Sequence, residues 1–218
     1  MPSVAIVGAS RGIGRELVRQ YLIDGWHVHA SVRSAGDAPE VGGGHIHIAD
    51  VTDRASLAAM ASAIDHDLDL VIANAGVGAR EPTIAKIDPA EWGRVMQVNG
   101  LGPLLVADTV GRKLKRPGGT FAALTSRMGS IAENGGGAWS YRMSKAALNM
   151  GLSNLAIEWA QGEIAIAALH PGWVQTDMGG AQAPVKVEDS VAGLRKVIAG
   201  LSGPGLRFLD YQGEVIPW

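Results

Sequence analysis

The sequence predicts an α/β fold in which a doubly wound parallel sheet of about seven strands carries helices on both faces. Short apolar segments alternate along the chain with longer segments whose apolar residues recur every three or four positions, which is the pattern of strands followed by helices. The segment at 68–73 is apolar except for Asp69, as is typical of a parallel strand buried on both faces. With 218 residues and a hydrophobic content of 47%, the chain can bury one core, so we expect a single domain over residues 1–218.

Turn and capping signals separate the predicted elements. Asp53 and Asp88 are placed to cap helices, because a carboxylate accepts hydrogen bonds from the free N–H groups of a first turn, and Pro89 fits the first helical position. Ser34–Gly44 predicts a loop, and Gly100–Pro103 predicts a bend in the helix that Pro89 begins. The predicted strands cover residues 3–7, 26–32, 45–49, 68–73, 120–125, 164–169 and 206–209, and the helices begin near residues 13, 54, 89, 139 and 187.

Composition and charge exclude several classes of protein. A net charge of −2 and a pI of about 6.3 lack the basic character of nucleic-acid and membrane-surface binders. The absence of cysteine excludes disulfides, thiolate catalysis and cysteine zinc sites. The amino-terminal residues show no basic segment followed by a long apolar run, and no stretch approaches 18 apolar residues. We therefore expect neither a signal peptide nor a membrane span, and a cytoplasmic location.

A glycine-rich turn follows the first predicted strand. The segment Gly8–Gly14 reads GASRGIG and leads into an amphipathic helix that ends near Gly25. Glycines let a backbone approach a ligand closely, and a helix amino terminus presents free N–H groups to a phosphate. The position between a strand and a helix therefore favours a dinucleotide site, and a merely structural turn is the alternative.

The residues at the end of the second predicted strand favour NADP(H) over NAD(H). An NAD-preferring site carries an acidic residue there to bind the adenine ribose hydroxyls, whereas this chain has Val32 followed by Arg33. Arg11 adds a second guanidinium inside the glycine-rich turn. Since arginine binds phosphate strongly, both side chains suit a ribose 2′-phosphate. The alternative is that both are solvated turn residues.

Further polar positions each have two interpretations. Asp50, at the end of the third strand, can accept a hydrogen bond from an adenine amino group or can only begin a turn. Asn99 lies among apolar residues, and a buried amide there must be hydrogen-bonded, for structure, for function or for both. His45 and His47 share one face of a strand, but no third metal ligand lies nearby in the sequence, so ordinary strand histidines are favoured over a metal site.

A tyrosine and a lysine four residues apart begin the long helix near residue 139. Tyr141 and Lys145 lie one turn apart on one helical face. A fixed cation beside a phenol favours the phenolate, so we expect Lys145 to lower the pKa of Tyr141 and to make it a proton donor or acceptor near neutral pH. Alone, this spacing is more typical of an ordinary helix surface. Ser126 ends the fifth predicted strand and Asn74–Gly76 the fourth, where open α/β sheets bind ligands.

Together these motifs resemble the short-chain dehydrogenase/reductase family over essentially the whole chain, and the resemblance implies a Rossmann-type fold. It rests on the order and placement of seven features, which are GASRGIG at 8–14, the acidic Asp50, ANAG at 73–76, Asn99, Ser126, YRMSK at 141–145 and HPGWVQT at 170–176. Within the family, YRMSKAALNM, PGWVQTDMGG and the terminal IPW are similar to the C-factor and Sniffer-type carbonyl reductase branch.

The resemblance implies a catalytic set of Asn99, Ser126, Tyr141 and Lys145. Tyr141 is implied as the general acid in reduction and the base in oxidation, and Lys145 as the group that lowers its pKa and binds the nicotinamide ribose. Ser126 is implied to bind the substrate oxygen, and Asn99 to hold the lysine and a relay water. The implied cofactor-binding residues are Gly8, Ser10, Arg11, Gly12, Ile13, Gly14, Arg33, Asp50, Val51, Asn74, Ala75, Gly76, Tyr141, Lys145, Pro171, Gly172, Val174 and Thr176.

The implied activity is the interconversion of a carbonyl and an alcohol by hydride transfer, with NADP(H) favoured and no metal required. The alternative is a nucleotide-binding signalling or scaffold protein of the C-factor type whose turnover is incidental. The resemblance also implies a small-molecule substrate and a homo-oligomer, a dimer or tetramer, formed through the helices around 147–159 and 187–201. The segment Asp177–Val187 usually closes over the substrate in this family, and its shortness here predicts an open or small substrate site.

Overall fold

The computed structural model describes residues 1–39 and 43–218, and a seven-stranded parallel sheet forms its centre. β1 pairs in parallel with β2 on one side and with β4 on the other, and the order in which strands are added to the sheet reverses between β1 and β4. This reversal leaves a crevice at the carboxyl ends of these two strands. This confirms the predicted fold class. In chain order the strands are β1 (Ser3–Val7), β2 (His27–Val32), β3 (His45–Ile48), β4 (Leu70–Ala73), β5 (Thr120–Leu124), β6 (Ala165–His170) and β7 (Gly205–Asp210), and their spatial order is β3-β2-β1-β4-β5-β6-β7.

Helices cover both faces of the sheet and form two apolar layers with it. They are α1 (Gly12–Ile23), α2 (Arg54–Ala63), α3 (Pro89–Val95), α4 (Gly102–Asp108), α5 (Trp139–Glu158) and α6 (Val187–Ala199). Buried side chains of α1 and α6 pack on one face, and those of α2, α4 and α5 pack on the other. The two predicted caps are confirmed, because Asp53 accepts from the Ala55 N–H at 2.9 Å and Asp88 from the Ala90 N–H at 3.0 Å. None of the helices in the described ranges is long and apolar enough to cross a bilayer.

The helix that begins at Pro89 does not run on as a regular α-helix. Between α3 and α4 the segment Met96–Leu101 is π-helical, with the backbone continuing in helical conformation through Gly102. The predicted bend at Gly100–Pro103 is thus a change of hydrogen-bond pattern rather than a break. A π-helical turn inserts a residue into the helix and re-aims its side chains, and here it turns the buried Asn99 into the interior.

Other boundaries differ by small amounts. The fourth strand begins at Leu70 rather than 68, because Leu68 makes only an isolated parallel bridge with Leu114. The predicted loop at 34–44 contains a short 3₁₀ turn at Ala35–Asp37, and its residues 40–42 lie outside the described residues.

Candidate active site

The glycine-rich turn is packed so closely that two of its glycines cannot carry a side chain. Gly8 has φ +96°, and a Cβ added there would lie 2.7 Å from three atoms of Ala75. A Cβ on Gly14 would lie 2.0 Å from the carbonyl oxygen of Gly8. The side chain of Ser31 accepts a hydrogen bond from the Gly8 N–H at 3.1 Å and fixes the turn to β2. The start of α1 has no side-chain cap from the described residues, so its first N–H groups are free to meet a phosphate.

The end of β2 provides the predicted arginine without an acidic neighbour at the strand end. Val32 is buried and Arg33, which follows it, is exposed. Asp50 accepts from both the N–H and the hydroxyl of Thr52, at 2.8 and 2.7 Å, and these hydrogen bonds lower the pKa of its carboxyl, with a smaller contribution from Arg33. Asp50 therefore begins a turn, which is the second of the two interpretations given for it above. One of its carboxylate oxygens makes both bonds, which leaves the adenine interpretation open.

Arg11 has a protein partner. Its guanidinium lies 2.9 Å from the carboxylate of Asp177, and both side chains are largely exposed. Exposed ion pairs contribute little to stability. A phosphate can therefore compete with Asp177 for Arg11, and the pair joins the glycine-rich turn to the loop after β6.

The segment after β4 connects the glycine-rich turn to the predicted catalytic residues. Asn74 donates from its side-chain amide to the carbonyl of Gly8 at 2.5 Å. Two residues further on, a Cβ added to Gly76 would lie 3.4 Å from Oδ1 of Asn99 and 3.8 Å from Nζ of Lys145. The side chains of Asn99 and Lys145 therefore both approach Gly76. Val51, also predicted to bind the cofactor, has its side chain in the core, so only its backbone can contact a ligand.

Asn99 is fully buried, and its amide is completely hydrogen-bonded. Its Oδ1 accepts from the Val77 N–H at 2.8 Å, and its Nδ2 donates to the Val77 carbonyl at 2.8 Å and to the Ser144 hydroxyl at 3.1 Å. The Ser144 hydroxyl donates in turn to the carbonyl of Tyr141 at 2.8 Å. The amide therefore ties the loop after β4 to the first turn of α5. Within the described ranges, Asn99 makes no direct hydrogen bond to Lys145.

Tyr141 and Lys145 lie one turn apart on α5, but they do not interact as the sequence predicts. Nζ of Lys145 donates to the carbonyl of Leu124 at 2.8 Å and lies 5.8 Å from the centroid of the Tyr141 ring. Burial raises the pKa of Tyr141, and a hydrogen bond with Ser126 offsets this in part. The prediction of a lowered pKa for Tyr141 is wrong, because the desolvation of the phenol outweighs the effect of the Lys145 charge. At neutral pH the phenol carries its proton.

The positive charge of Lys145 is buried at an energetic cost. Its side chain is only 4% exposed, and burial lowers its pKa from 10.5 to about 8. Such a shift means that the charged form is destabilised by about 3 kcal/mol relative to the unfolded chain. An interior lysine with this environment is typical of a functional position rather than of a core packing residue.

Replacing Lys145 by methionine is therefore expected to stabilise the fold by about 1–2 kcal/mol at neutral pH, after the lost hydrogen bond to Leu124 is counted. The pKa of folded Lys145 lies below that of the unfolded chain, so between about pH 8 and 10.5 the unfolded wild type binds more protons and wild-type stability rises with pH. Below about pH 8 the full difference in the free energy of unfolding between the variant and the wild type is therefore expected, and this difference decreases between about pH 8 and 10.5. Urea unfolding at about pH 7 and about pH 9.5 measures both effects, and a variant that is less stable at the lower pH would refute the cost assigned to burial.

Ser126 is held beside Tyr141 by the turn that follows β5. Its hydroxyl accepts from the Met128 N–H at 3.1 Å and caps the 3₁₀ turn Arg127–Gly129. A Cβ on Gly129 would lie 2.8 Å from the backbone carbon of Lys145, so this turn packs directly on α5. The serine, the tyrosine and the lysine are therefore brought together by backbone packing between β5 and α5.

A cleft of about 530 Å³ opens in front of Tyr141. Its walls include the predicted residues Ile13, Ser126, Pro171, Gly172, Val174 and Thr176, and also several that sequence reasoning did not select, namely Gly78, Ala79, Arg80, Met128, Arg142, His170, Trp173 and Met178. His170 ends β6 at the carboxyl edge of the sheet, and that strand-end position is a signal that could have found it. Burial, with a smaller contribution from Arg127, lowers the pKa of His170 to about 4, so its ring is neutral. Most of the other missed residues come from loops, which carry no periodic pattern, whereas Arg142 lies on α5 next to Tyr141 and Met128 in the turn after β5.

The short segment after Thr176 contributes Met178 and Gly179 to the lining of this cleft. Arg80 donates to the carbonyl of Met178 at 2.6 Å, and the indole of Trp173 donates to the carbonyl of Gly179 at 2.8 Å. A Cβ on Gly12 would lie 3.2 Å from the methyl group of Thr176, so the segment also contacts the glycine-rich turn. Polar contacts to the backbone hold the segment in place and leave apolar side chains to face the cleft.

Comparisons with known proteins identify chains that are similar to this one. Residues 2–186 match the model of a family described as short chain dehydrogenase. C-signal of Myxococcus xanthus is 44% identical over 154 residues, which cover 69% of this chain and 93% of C-signal. Among solved structures, the carbonyl reductase Sniffer of D. melanogaster is 28% identical with a TM-score of 0.93 and full coverage of both chains. The NADPH-bound carbonyl reductase from chicken fatty liver is 32% identical with a TM-score of 0.89, covering 100% of this chain and 99% of its own.

Proposed function

This chain belongs to the short-chain dehydrogenase/reductase family, and on that premise we propose that it is an NADP(H)-dependent oxidoreductase that interconverts a carbonyl and an alcohol. The observation that carries the proposal is that Ser126 and Tyr141 line one cleft, which extends to Ile13 of the glycine-rich turn, with Lys145 buried one helical turn from Tyr141. The cofactor class fits this site, since Gly8 and Gly14 leave no room for a side chain where a pyrophosphate needs the backbone. The chicken carbonyl reductase is described with NADPH bound.

In the reductive direction, a hydride is added to the carbonyl carbon and a proton to its oxygen. The dihydronicotinamide supplies the hydride when it is bound. Ser126 orients the substrate oxygen, and Tyr141 gives it the proton, for which a phenol with a raised pKa is in the correct state at neutral pH. Lys145 provides a buried positive charge beside the phenolate that remains. Asn99 holds the start of α5, which carries Tyr141, through its hydrogen bond to Ser144.

The cleft favours a compact and mainly apolar carbonyl compound. Its volume of about 530 Å³ lies within the range of small-molecule sites, and part of it has to accept the nicotinamide. Trp173 and Met178 are 56% and 43% exposed at its edge, where an apolar substrate would cover them. A panel of aldehydes and ketones followed by NADPH absorbance tests the activity. Absence of turnover across apolar and polar carbonyl compounds with a protein that binds NADPH would contradict the proposal.

Replacing Arg33 by alanine is expected to lower the affinity for NADPH about 10- to 100-fold and to leave the affinity for NADH within about twofold. The reason is that the lost contact is a charge-assisted hydrogen bond to the 2′-phosphate, which NADH lacks. Fluorescence titration of both nucleotides measures the ratio of the two dissociation constants. Arg94→Ala is the matched control, since Arg94 is an exposed arginine of α3 that pairs with Glu91 at 2.6 Å. Equal weakening of NADPH and NADH would refute a role for Arg33 at the 2′-phosphate.

We also propose that copies of the chain associate through α5. The helix exposes Met150 and Ile157 by 65% and 76%, which is apolar surface that association would cover. Light scattering of the purified protein measures the mass in solution, and a monomer at all concentrations would refute the association.

A further inference from the structure

Five of the six histidines of the chain gather on one face of the sheet edge. His27 and His29 are two apart on β2, His45 and His47 are two apart on β3, and His66 lies between α2 and β4. The parallel register places His29 opposite His45. The pairing of β2 with β3 and the return of the chain after α2 thus bring together histidines that are distant in the sequence.

Three of these side chains converge. The ring centroids of His27 and His66 are 4.7 Å apart, and those of His29 and His66 are 5.2 Å apart. One ring nitrogen from each of His27, His29 and His66 lies within 4.8 Å of the others. Since Zn–N bonds are about 2.0–2.1 Å, tetrahedral nitrogen ligands lie about 3.4 Å apart, and small side-chain rotations close the difference.

In two of these rings, hydrogen-bond partners at Nδ1 leave Nε2 available to a metal ion. Nδ1 of His29 lies 3.0 Å from Nε2 of His47, and Nδ1 of His66 lies 3.0 Å from the carboxylate of Asp65. Nε2 of His29 and Nε2 of His66 are buried and have no hydrogen-bond partner among the residues that the structure describes. A partner that holds the proton on Nδ1 leaves the lone pair on Nε2, which is the arrangement that supports metal-bound histidines.

The ligand chemistry agrees with this geometry, because the groups that face one another are imidazoles, with the ring centroids of His27 and His29 4.8 Å apart. Neutral imidazole is the form that binds metals, and imidazole sets prefer Zn²⁺ and similar transition-metal ions over Mg²⁺ or Ca²⁺. An otherwise empty cluster of buried ring nitrogens leaves polar atoms without partners, which is costly.

We propose that His27, His29 and His66 bind a divalent transition-metal ion of the Zn²⁺ class, with water in the fourth position. His27 is the first residue of β2, whereas the proposed nucleotide site lies beyond Val32, the last residue of that strand. The metal would therefore join β2 to the segment between α2 and β4, away from the active-site cleft. Its role in this position is structural.

Calorimetric titration of the tag-free full-length chain with Zn²⁺ at neutral pH tests the proposal. We expect one ion per chain and a rise in Tm of about 5–10 °C at a hundredfold excess of Zn²⁺ over its Kd. His27→Gln and His66→Gln, at partly exposed positions that favour retention of the fold, are each expected to lower the affinity about tenfold or more. Co²⁺ added to the wild type is expected to give the strong visible absorption of a tetrahedral nitrogen site, a readout that needs no variant.

His170→Gln is the matched control, because His170 is the one histidine outside the cluster. It should bind Zn²⁺ with unchanged stoichiometry and affinity. The proposal is overturned if the wild type shows no saturable Zn²⁺ binding below about 1 mM, or if His27→Gln and His66→Gln bind as the wild type does.

Discussion

Replacing Tyr141 by phenylalanine is expected to lower the rate of carbonyl reduction about 10³-fold, while the affinity for NADPH stays within about twofold. The substitution removes one hydroxyl from a ring whose position is set by α5 and by the turn after β5, so the cleft keeps its shape. What is lost is the proton that balances the developing alkoxide. Steady-state rates from NADPH absorbance, together with a fluorescence titration of the nucleotide, separate chemistry from binding.

Tyr21→Phe is the control for this variant, because it removes the same hydroxyl from the core side of α1 and should leave the rate unchanged. Equal rates for wild type and Tyr141→Phe would remove the proton-donor role from Tyr141 and the mechanism with it. A parallel loss of NADPH affinity would instead assign the residue to cofactor binding.

Replacing Gly14 by alanine is expected to destabilise the protein by roughly 3 kcal/mol or more and to abolish measurable NADPH binding. Helix propensity alone predicts the opposite sign, since alanine inside a helix is favoured over glycine by about 1 kcal/mol. The packing decides, because the added Cβ would lie 2.0 Å from the carbonyl oxygen of Gly8 and 2.5 Å from Nδ2 of Asn74. A fall in Tm of roughly 10 °C is the expected thermal readout.

Gly93→Ala tests the same substitution in a helix without that obstacle. A Cβ on Gly93, in α3, would meet nothing within 4 Å among the described residues, so the variant should keep its nucleotide affinity and be as stable as the wild type or more so. If Gly14→Ala also kept the stability and the NADPH affinity of the wild type, the close packing of Gly14 against the carbonyl of Gly8 would be disproved.

Local patterns were enough to predict the order of the strands along the chain and the edge of the sheet at which the candidate site lies. A parallel sheet directs the carboxyl ends of all its strands to one edge, so the turns after Val7, Ala73 and Leu124 had to meet there. The aspartate caps of α2 and α3 and the spacing of Tyr141 and Lys145 are likewise local properties, which depend on a few neighbouring residues. These parts of the fold and of the candidate site could be predicted without coordinates.

Other features depend on neighbours that are distant in sequence. The ammonium of Lys145 donates to the carbonyl of Leu124, and burial of the Tyr141 phenol raises the pKa of Tyr141 rather than lowering it. The π-helical turn around Asn99 places its amide where it binds both Val77 and Ser144, which lie 22 and 45 positions away in the sequence. No periodicity in the chain encodes either arrangement.

The histidines make the same division clear. The sequence by itself determined that His45 and His47 share one face of a strand, since side chains alternate along any strand. Only the tertiary structure decided that His27, His29 and His66 join them, because pairing in the sheet and the return of the chain after α2 bring together rings that lie up to 39 positions apart, from His27 to His66. Local sequence sets which way a side chain points, and long-range packing sets what it meets.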